Sequence, residues 1–324
     1  MLVRQLPPAH AQLKPFVRSF MLMELSAADR AAFPELAVPA CDVTALLFPL
    51  SGGAYHLREA SGAHQHFHIP FLHGQLSTAK SSVAELHRDC SQNLVLYSTV
   101  FTPLGLQAFT RHSLGGLYQI ENNFLTAEDH IADVCILHEQ LQEIYYAEIS
   151  ILLQRENADF VPLHNLSLLT LPTEEFLLNT LFATPARKTS LCTVRNRQQA
   201  EYICRRLTET RGKARIEEIA TELDLSERHS LRIMTEYVGV SGKTFGEVQR
   251  FLAASRLLTQ AASQLPSGER ISSEHLHTII HRAGYYDQSH CIRDFKRFAD
   301  RTPLQFLYQR HPLAENLLDS EREV

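Results

Sequence analysis

Three groups of side chains in this 324-residue chain are spaced to do chemistry. Arg228 and Arg232 stand one helical turn apart, with Leu231 beside them, in a stretch that opens on Ser226. Gln288, Ser289, His290, Arg293, Lys296 and Arg297 gather in a second stretch that opens on Asp287. Cations grouped on a helix suit a polyanion, because phosphate attracts a basic unit whatever charge the rest of the protein carries. The third group is His64, His66 and His68, alternating with Gln65 and Phe67, with His73 following. On a strand such imidazoles share one face and suit zinc, nickel or iron. No carboxylate follows at the spacing such a site needs, and Ser61-Gly62 reads as a loop, so solvated histidines are expected and no metal or cofactor is assigned. Gly52-Gly53 and Gly115-Gly116 read as turns, and neither a GxSxG elbow nor an HExxH is present, so no enzyme is expected.

Composition narrows the class. The chain is 44% hydrophobic and 21% charged, ordinary for a soluble globular protein. No apolar run approaches the roughly 18–20 residues of a membrane span. The first residues, Met1 to Pro8, lack the apolar segment of a secretory signal. Cys41, Cys90, Cys135, Cys192, Cys204 and Cys291 are scattered without a CxxC pair, which is neither a zinc motif nor a disulfide framework. A cytoplasmic protein with reduced thiols and no membrane partner is the expectation. Charge is placed unevenly: Arg195 to His311 holds 19 Lys and Arg against 14 Asp and Glu, while the remainder holds 12 against 22. An acidic protein thus carries a basic C-terminal unit.

The elements that must hold these residues differ along the chain. The first 125 residues read as strand-rich. Val43–Leu50 is an apolar run ending at Ser51-Gly52-Gly53, Ala54–Arg58 reads as its returning strand, and Asn93–Phe101 is a further strand. Helix is expected mainly at the edges, around Ala11–Leu25 and Gly105–Arg111. From Thr126 the periodicity turns helical, through Ile131, Val134, Leu137, Leu141, Ile144, Ile149 and Leu152, and packing on the strands is the preferred reading of that face over dimerisation. Another short helix is expected to start at Leu171-Pro172, and 183–190 reads as linker. Further on, Ile216, Ile219, Ala220 and Leu223 give one buried stripe, Asp224-Leu225 a turn, and Ser226 an N-cap for a helix that Gly239 ends. The pattern recurs: Leu276, Ile279 and Ile280, a turn needing Gly284, then Asp287 capping a helix with Phe295 and Phe298 buried. Thr244 to about Thr259 reads as one longer helix between the copies. Two short helices joined by a tight turn, twice over, are a double helix-turn-helix.

The string Gly284-Tyr285-Tyr286-Asp287-Gln288-Ser289-His290-Cys291-Ile292-Arg293-Asp294-Phe295-Lys296-Arg297-Phe298, followed by Thr302-Pro303-Leu304-Gln305-Phe306, resembles the C-terminal signature of the AraC/XylS family of transcription regulators. Ile219-Ala220, Leu225-Ser226-Glu227-Arg228 and Gly239-Val240-Ser241 are similar to that family's first helix-turn-helix. More faintly, Pro15-Phe16-Val17 and Leu96–Phe101 before Gly105 resemble its cupin-like sensor region.

The resemblance implies an α+β protein of two domains. These are a cupin-like antiparallel β-barrel over 1–125 with a helical connector and linker over 126–190, and an all-α double helix-turn-helix over 195–310; residues 311–324 form a flexible acidic tail. It implies sequence-specific binding of double-stranded DNA, and it admits a small-molecule effector, a homodimer and contact with RNA polymerase. Carried over by position, Arg228, Leu231 and Arg232 would face bases in the first unit, and Gln288, Ser289, His290 and Arg293 in the second. Arg is bidentate to guanine and Gln to adenine; Lys296 and Arg297 would hold phosphates.

The chain departs from the family pattern at Ser230, where a buried Leu is usual, and at Met234, Ile280 and Cys291. Gly242 replaces a usual Pro, and Asp300 a usual Gly. The cost of these departures falls more on the first unit. They leave open a second reading, a ligand- or protein-binding protein whose DNA-binding module has decayed.

Overall fold

The structure is a computed structural model, and it describes residues 2–26, 35–38, 41–51, 55–58, 64–67, 70–73, 82–85, 94–110, 114, 124–156, 163, 165–183, 191–266, 269–299 and 301–308. The linker at 184–190, the tail at 311–324, His68 and Asp300 lie outside these residues. The fold is mixed α+β.

The N-terminal half builds two antiparallel sheets from ten strands among the described residues. The larger sheet joins β1 (Leu2–Leu6), β2 (Val17–Leu25), β9 (Leu94–Phe101), β4 (Ala45–Ser51), β7 (Phe71–His73) and β10 (Phe124–Thr126), in that order. The smaller joins β3 (Glu35–Val38), β8 (Ser82–Glu85), β5 (Tyr55–Arg58) and β6 (His64–Phe67). The expected antiparallel character is present, but no strand pairing closes either sheet into a barrel among the described residues.

Three local expectations need correction. Val17–Leu25 is not helix but a central strand, hydrogen-bonded to β1 on one side and β9 on the other. Its two faces are both covered: Phe20 and Leu22 enter the main core with Phe48 and Tyr97, while Met21 packs with Cys41, Val43 and Val100. Burial on both faces removes the alternation that marks a strand in sequence. Second, Tyr55–Arg58 does not return along β4; β4 pairs with β7 and β9, and β5 pairs with β6 and β8 in the other sheet.

Third, the second connector helix does not begin at Leu171. α1 (Val134–Glu156) and α2 (Ser167–Ala183) follow the sheets, and Pro172 lies inside α2. Pro172 is the sixth residue of α2, where it removes the hydrogen bond to the Leu168 carbonyl, and upstream of it the Asn165 side chain accepts the Ser167 N–H at 3.1 Å and starts the helix early. Both helices dock on the large sheet, and Leu137, Leu141, Leu169 and Leu177 share one core with Phe20, Phe48 and Tyr97. Polar contacts fix the docking. Tyr97 donates to Thr173 Oγ1 at 3.1 Å, and Gln142 donates to the Pro49 carbonyl at 3.2 Å. Glu24 is buried on the core-facing side of β2, where it pairs with Arg4 and accepts the Leu163 N–H at 2.9 Å.

Among the described residues the C-terminal half is built of helices and turns. It comprises α3 (Leu191–Glu209), α4 (Ile216–Glu222), α5 (Glu227–Tyr237), α6 (Gly242–Ser263), α7 (Ser273–Arg282), α8 (Gln288–Ala299) and α9 (Pro303–Tyr308). α6 is the spine, packing against α3, α5, α7, α8 and α9. Its buried residues include Phe245, Val248, Leu252 and Leu258, the apolar side read from sequence. α3 was not anticipated as a helix, although Ala200, Ile203, Cys204 and Leu207 fall at helical spacing and are all buried. Gly212 follows α3 with φ +68°, and a Cβ there would lie 1.9 Å from the Gly246 carbonyl oxygen. Only glycine lets this turn rest directly on α6.

The halves meet at a polar contact. Asp42, 4% exposed, accepts from Gln249 Nε2 on α6 at 3.1 Å and faces Arg18 Nη1 at 3.4 Å. Arg197 on α3 stacks over the Phe16 ring, 4.8 Å from its centroid. Among the described residues no helix is long and apolar enough to cross a membrane.

Candidate nucleic-acid interface

Two backbone units of the same design stand on α6. In the first, α4 stops at Asp224, which takes a left-handed conformation (φ +54°), and the Leu225 N–H reaches back to the Ala220 carbonyl at 2.8 Å. Ser226 then caps α5, its hydroxyl accepting the His229 N–H. In the second, α7 stops at Gly284 (φ +97°), the Tyr285 N–H reaches back to the Ile280 carbonyl at 3.1 Å, and Asp287 caps α8 by accepting the His290 N–H at 2.7 Å. Each stop uses one left-handed residue and a hydrogen bond spanning five residues, which ends a helix sharply and releases the chain toward the next. Asp tolerates this backbone better than most non-glycine residues. The helix-terminating glycine expected at 239 is also left-handed (φ +90°).

The cores beneath the two units are continuous. Ile219, Ile233, Met234, Phe245, Phe251, Cys291, Phe295 and Phe298 belong to one buried cluster. Phe251 of α6 lies with its ring centroid 4.9 Å from Phe295, 5.6 Å from Phe298 and 5.9 Å from Phe306. Of the positions at which the chain departs from the AraC/XylS pattern it resembles, Ser230, Met234, Ile280 and Cys291 are at most 2% exposed. Burial pushes the Cys291 thiol up to about 12, so this sulfur behaves as a small apolar group.

The nine side chains singled out from sequence sit as follows. Arg228, Leu231 and Arg232 are exposed on α5, and Leu231 is 52% exposed although apolar. Arg232 is shared between Glu236 at 3.4 Å and the His229 ring at 3.2 Å. Gln288, Ser289, Arg293 and Lys296 are exposed on α8. His290 and Arg297 are engaged elsewhere. The His290 ring is half-buried, edge-on to Tyr285 at 5.1 Å, with its Nε2 3.8 Å from the Asp294 carboxylate. Burial raises the Asp294 carboxyl above its usual range, and His290 and the Tyr285 hydroxyl oppose that rise. Arg297 pairs with Glu247 of α6 at 2.7 Å and lies over the Phe298 ring, tying α8 to the spine.

Ser230 has a consequence that sequence alone could not show. It lines a cavity of about 380 Å³, together with Ile216, Ala220, Arg228, Leu231 and Lys243, between α4, α5 and the start of α6. Lys243 was missed from sequence because its place beside α5 depends on how α6 begins. A leucine at 230 has room to occupy this space, and Ser230→Leu is expected to stabilise the chain by about 1–2 kcal/mol, read as a higher urea midpoint. An unchanged or lower midpoint would show that the cavity cannot take the side chain.

Among the described residues no group of three or more His, Cys, Asp or Glu is arranged to hold a metal. The backbone of His64–Phe67 is a strand, and His68 lies outside the described residues.

No protein-family model matches the chain, and no curated protein matches it. Among solved structures the chain is similar to ToxT from Vibrio cholerae. For ToxT of strain O395 the identity is 13% and the TM-score 0.39, covering 89% of this chain and 95% of that one. For the apo form of a lysine-to-alanine variant of ToxT from strain SCE256 the figures are 14% and 0.42, covering 89% and 97%. For unsaturated fatty acid-bound wild-type ToxT of that strain they are 14% and 0.35, covering 89% and 95%. Likeness of this degree assigns no family, ligand or site.

Proposed function

We propose that this chain is a sequence-specific DNA-binding transcription regulator of AraC/XylS type, entering two adjacent major-groove segments of duplex DNA with α5 and α8. The observation that carries the reading is the repeat of one backbone device on one spine: a left-handed stop, a side-chain cap, then a helix with exposed Arg or Gln. Successive major-groove segments on one DNA face lie about 34 Å apart, the separation this reading requires of α5 and α8. Arg228, Leu231 and Arg232 are assigned to bases in the first unit and Gln288, Ser289 and Arg293 in the second, with Lys296 on phosphate. His290 and Arg297 support α8 from within. Residues 195–310 form the DNA-binding unit, and the sheets over 1–125 with the connector over 126–190 form the regulatory part, a place for a small-molecule effector or a partner.

The test is titration of the full chain with duplex DNA between about 50 and 200 mM salt. Binding is expected to weaken steeply with salt, and Lys296→Ala is expected to lower the log–log slope by about 1 while weakening all sequences alike. An unchanged slope would remove Lys296 from the phosphate contact. Ser230 favours one alternative, a protein with a decayed DNA-binding module. If Ser230→Leu gives a large gain in DNA affinity along with stability, that alternative holds; a gain in stability alone favours the regulator.

A further inference from the structure

His277 and His281 lie four residues apart on α7, both exposed. Their Nε2 atoms are 3.2 Å apart, and the rings are 4.4 Å apart between centroids, inclined at 65°. The face is set by the buried side of the helix: Leu276, Ile279 and Ile280 point into the core, which turns 277 and 281 outward together. Without a metal, two imidazole nitrogens at this separation require one to donate its N–H and the other to accept it.

We propose that His277 and His281 form a two-imidazole binding site for a divalent transition metal of the copper, nickel and zinc class. Metal–imidazole bonds run about 2.0–2.1 Å. Two nitrogens 3.2 Å apart, held at that bond length, subtend about 100° at the ion. That angle falls between the square and tetrahedral values these ions adopt. Binding needs each ring to carry its single proton on Nδ1 and to present its Nε2 lone pair, a tautomer shift in one ring with no net proton release. The helix sets the spacing and the exposed surface leaves room for solvent to fill the remaining positions. Copper is the tightest-binding member of the class for such nitrogen donors. The site is independent of the DNA reading and is tested without DNA.

The probe is Cu(II) added in substoichiometric amounts to the full chain, followed by paramagnetic broadening of backbone amide signals. With 17 histidines in the chain, position has to be read as well as affinity. Broadening is expected first around 274–284, and His277→Ala or His281→Ala is expected to weaken this local binding at least ~10-fold, since a chelate becomes a single ligand. His275→Ala serves as control: this exposed residue stands two positions before His277, on a different side of the helix, and its loss should leave the binding unchanged. Both test positions are exposed, and circular dichroism checks that the variants keep their helices. Broadening that starts elsewhere, or that survives both alanine variants, would overturn the site.

Discussion

Phe251→Ala is expected to cost about 3–5 kcal/mol, a large share of the roughly 5–15 kcal/mol that holds an ordinary protein folded. Phe251 is fully buried and lies against Phe295, Phe298 and Phe306, so one truncation empties the junction between the spine, α8 and α9. Those neighbours are capped helices with fixed stops, which limits how far they can collapse into the space. The expected result is a large fall in the urea midpoint of the full chain, followed by circular dichroism. DNA affinity would be lost in both units, because the first unit shares the same core cluster. A loss under about 1 kcal/mol would mean that the core relaxes into the void and that the spine does not fix α8.

The second large effect concerns recognition. Gln288→Ala combined with Arg293→Ala is expected to lower specific DNA affinity about 100-fold or more, from about 1–3 kcal/mol for each bidentate contact. The two positions share one short helix, so their effects need not add. Salt-sensitive, sequence-blind binding should remain, since Lys296 and the backbone amides are untouched. The corresponding pair in the first unit, Arg228→Ala with Arg232→Ala, is expected to cost less. Arg232 already shares its guanidinium with Glu236 and His229, whereas no ion pair holds Arg293 among the described residues. Competition binding against a preferred duplex checks both pairs. Equal losses, or a smaller loss in the second unit, would contradict the assigned asymmetry.

Legibility in the sequence followed how local the determining interactions are. The turns at Asp224 and Gly284, the caps Ser226 and Asp287, and the apolar side of α6 all depend on residues within a turn or two of one another. β2 depends on what covers it. Its Met, Leu and Glu residues read as helix, and only the sheet partners on both edges and the separate clusters on both faces make it a strand. The separation of β4 from β5 and the helical start ahead of Pro172 have the same origin in distant pairing and in a capping side chain. At the interface, exposure of Arg228, Gln288 and Arg293 was readable from periodicity. The inward turn of His290 toward Tyr285 and Asp294, and the tie between Arg297 and Glu247, were not, because each depends on the angle at which α8 meets its neighbours. The Asp42–Gln249 contact spans the two halves and has no sequence signal at all.

In the proposed function α5 and α8 read duplex DNA together. Selection of bound duplexes from a random-sequence pool by the full chain, with and without small molecules from a cell extract, addresses it directly. The expected result is enrichment of a bipartite site whose two parts are centred about 10–10.5 base pairs apart, with the part read by α8 the more sharply defined. A pool that stays unenriched under both conditions, with affinity for every duplex near the non-specific level and dependent on salt alone, would contradict it.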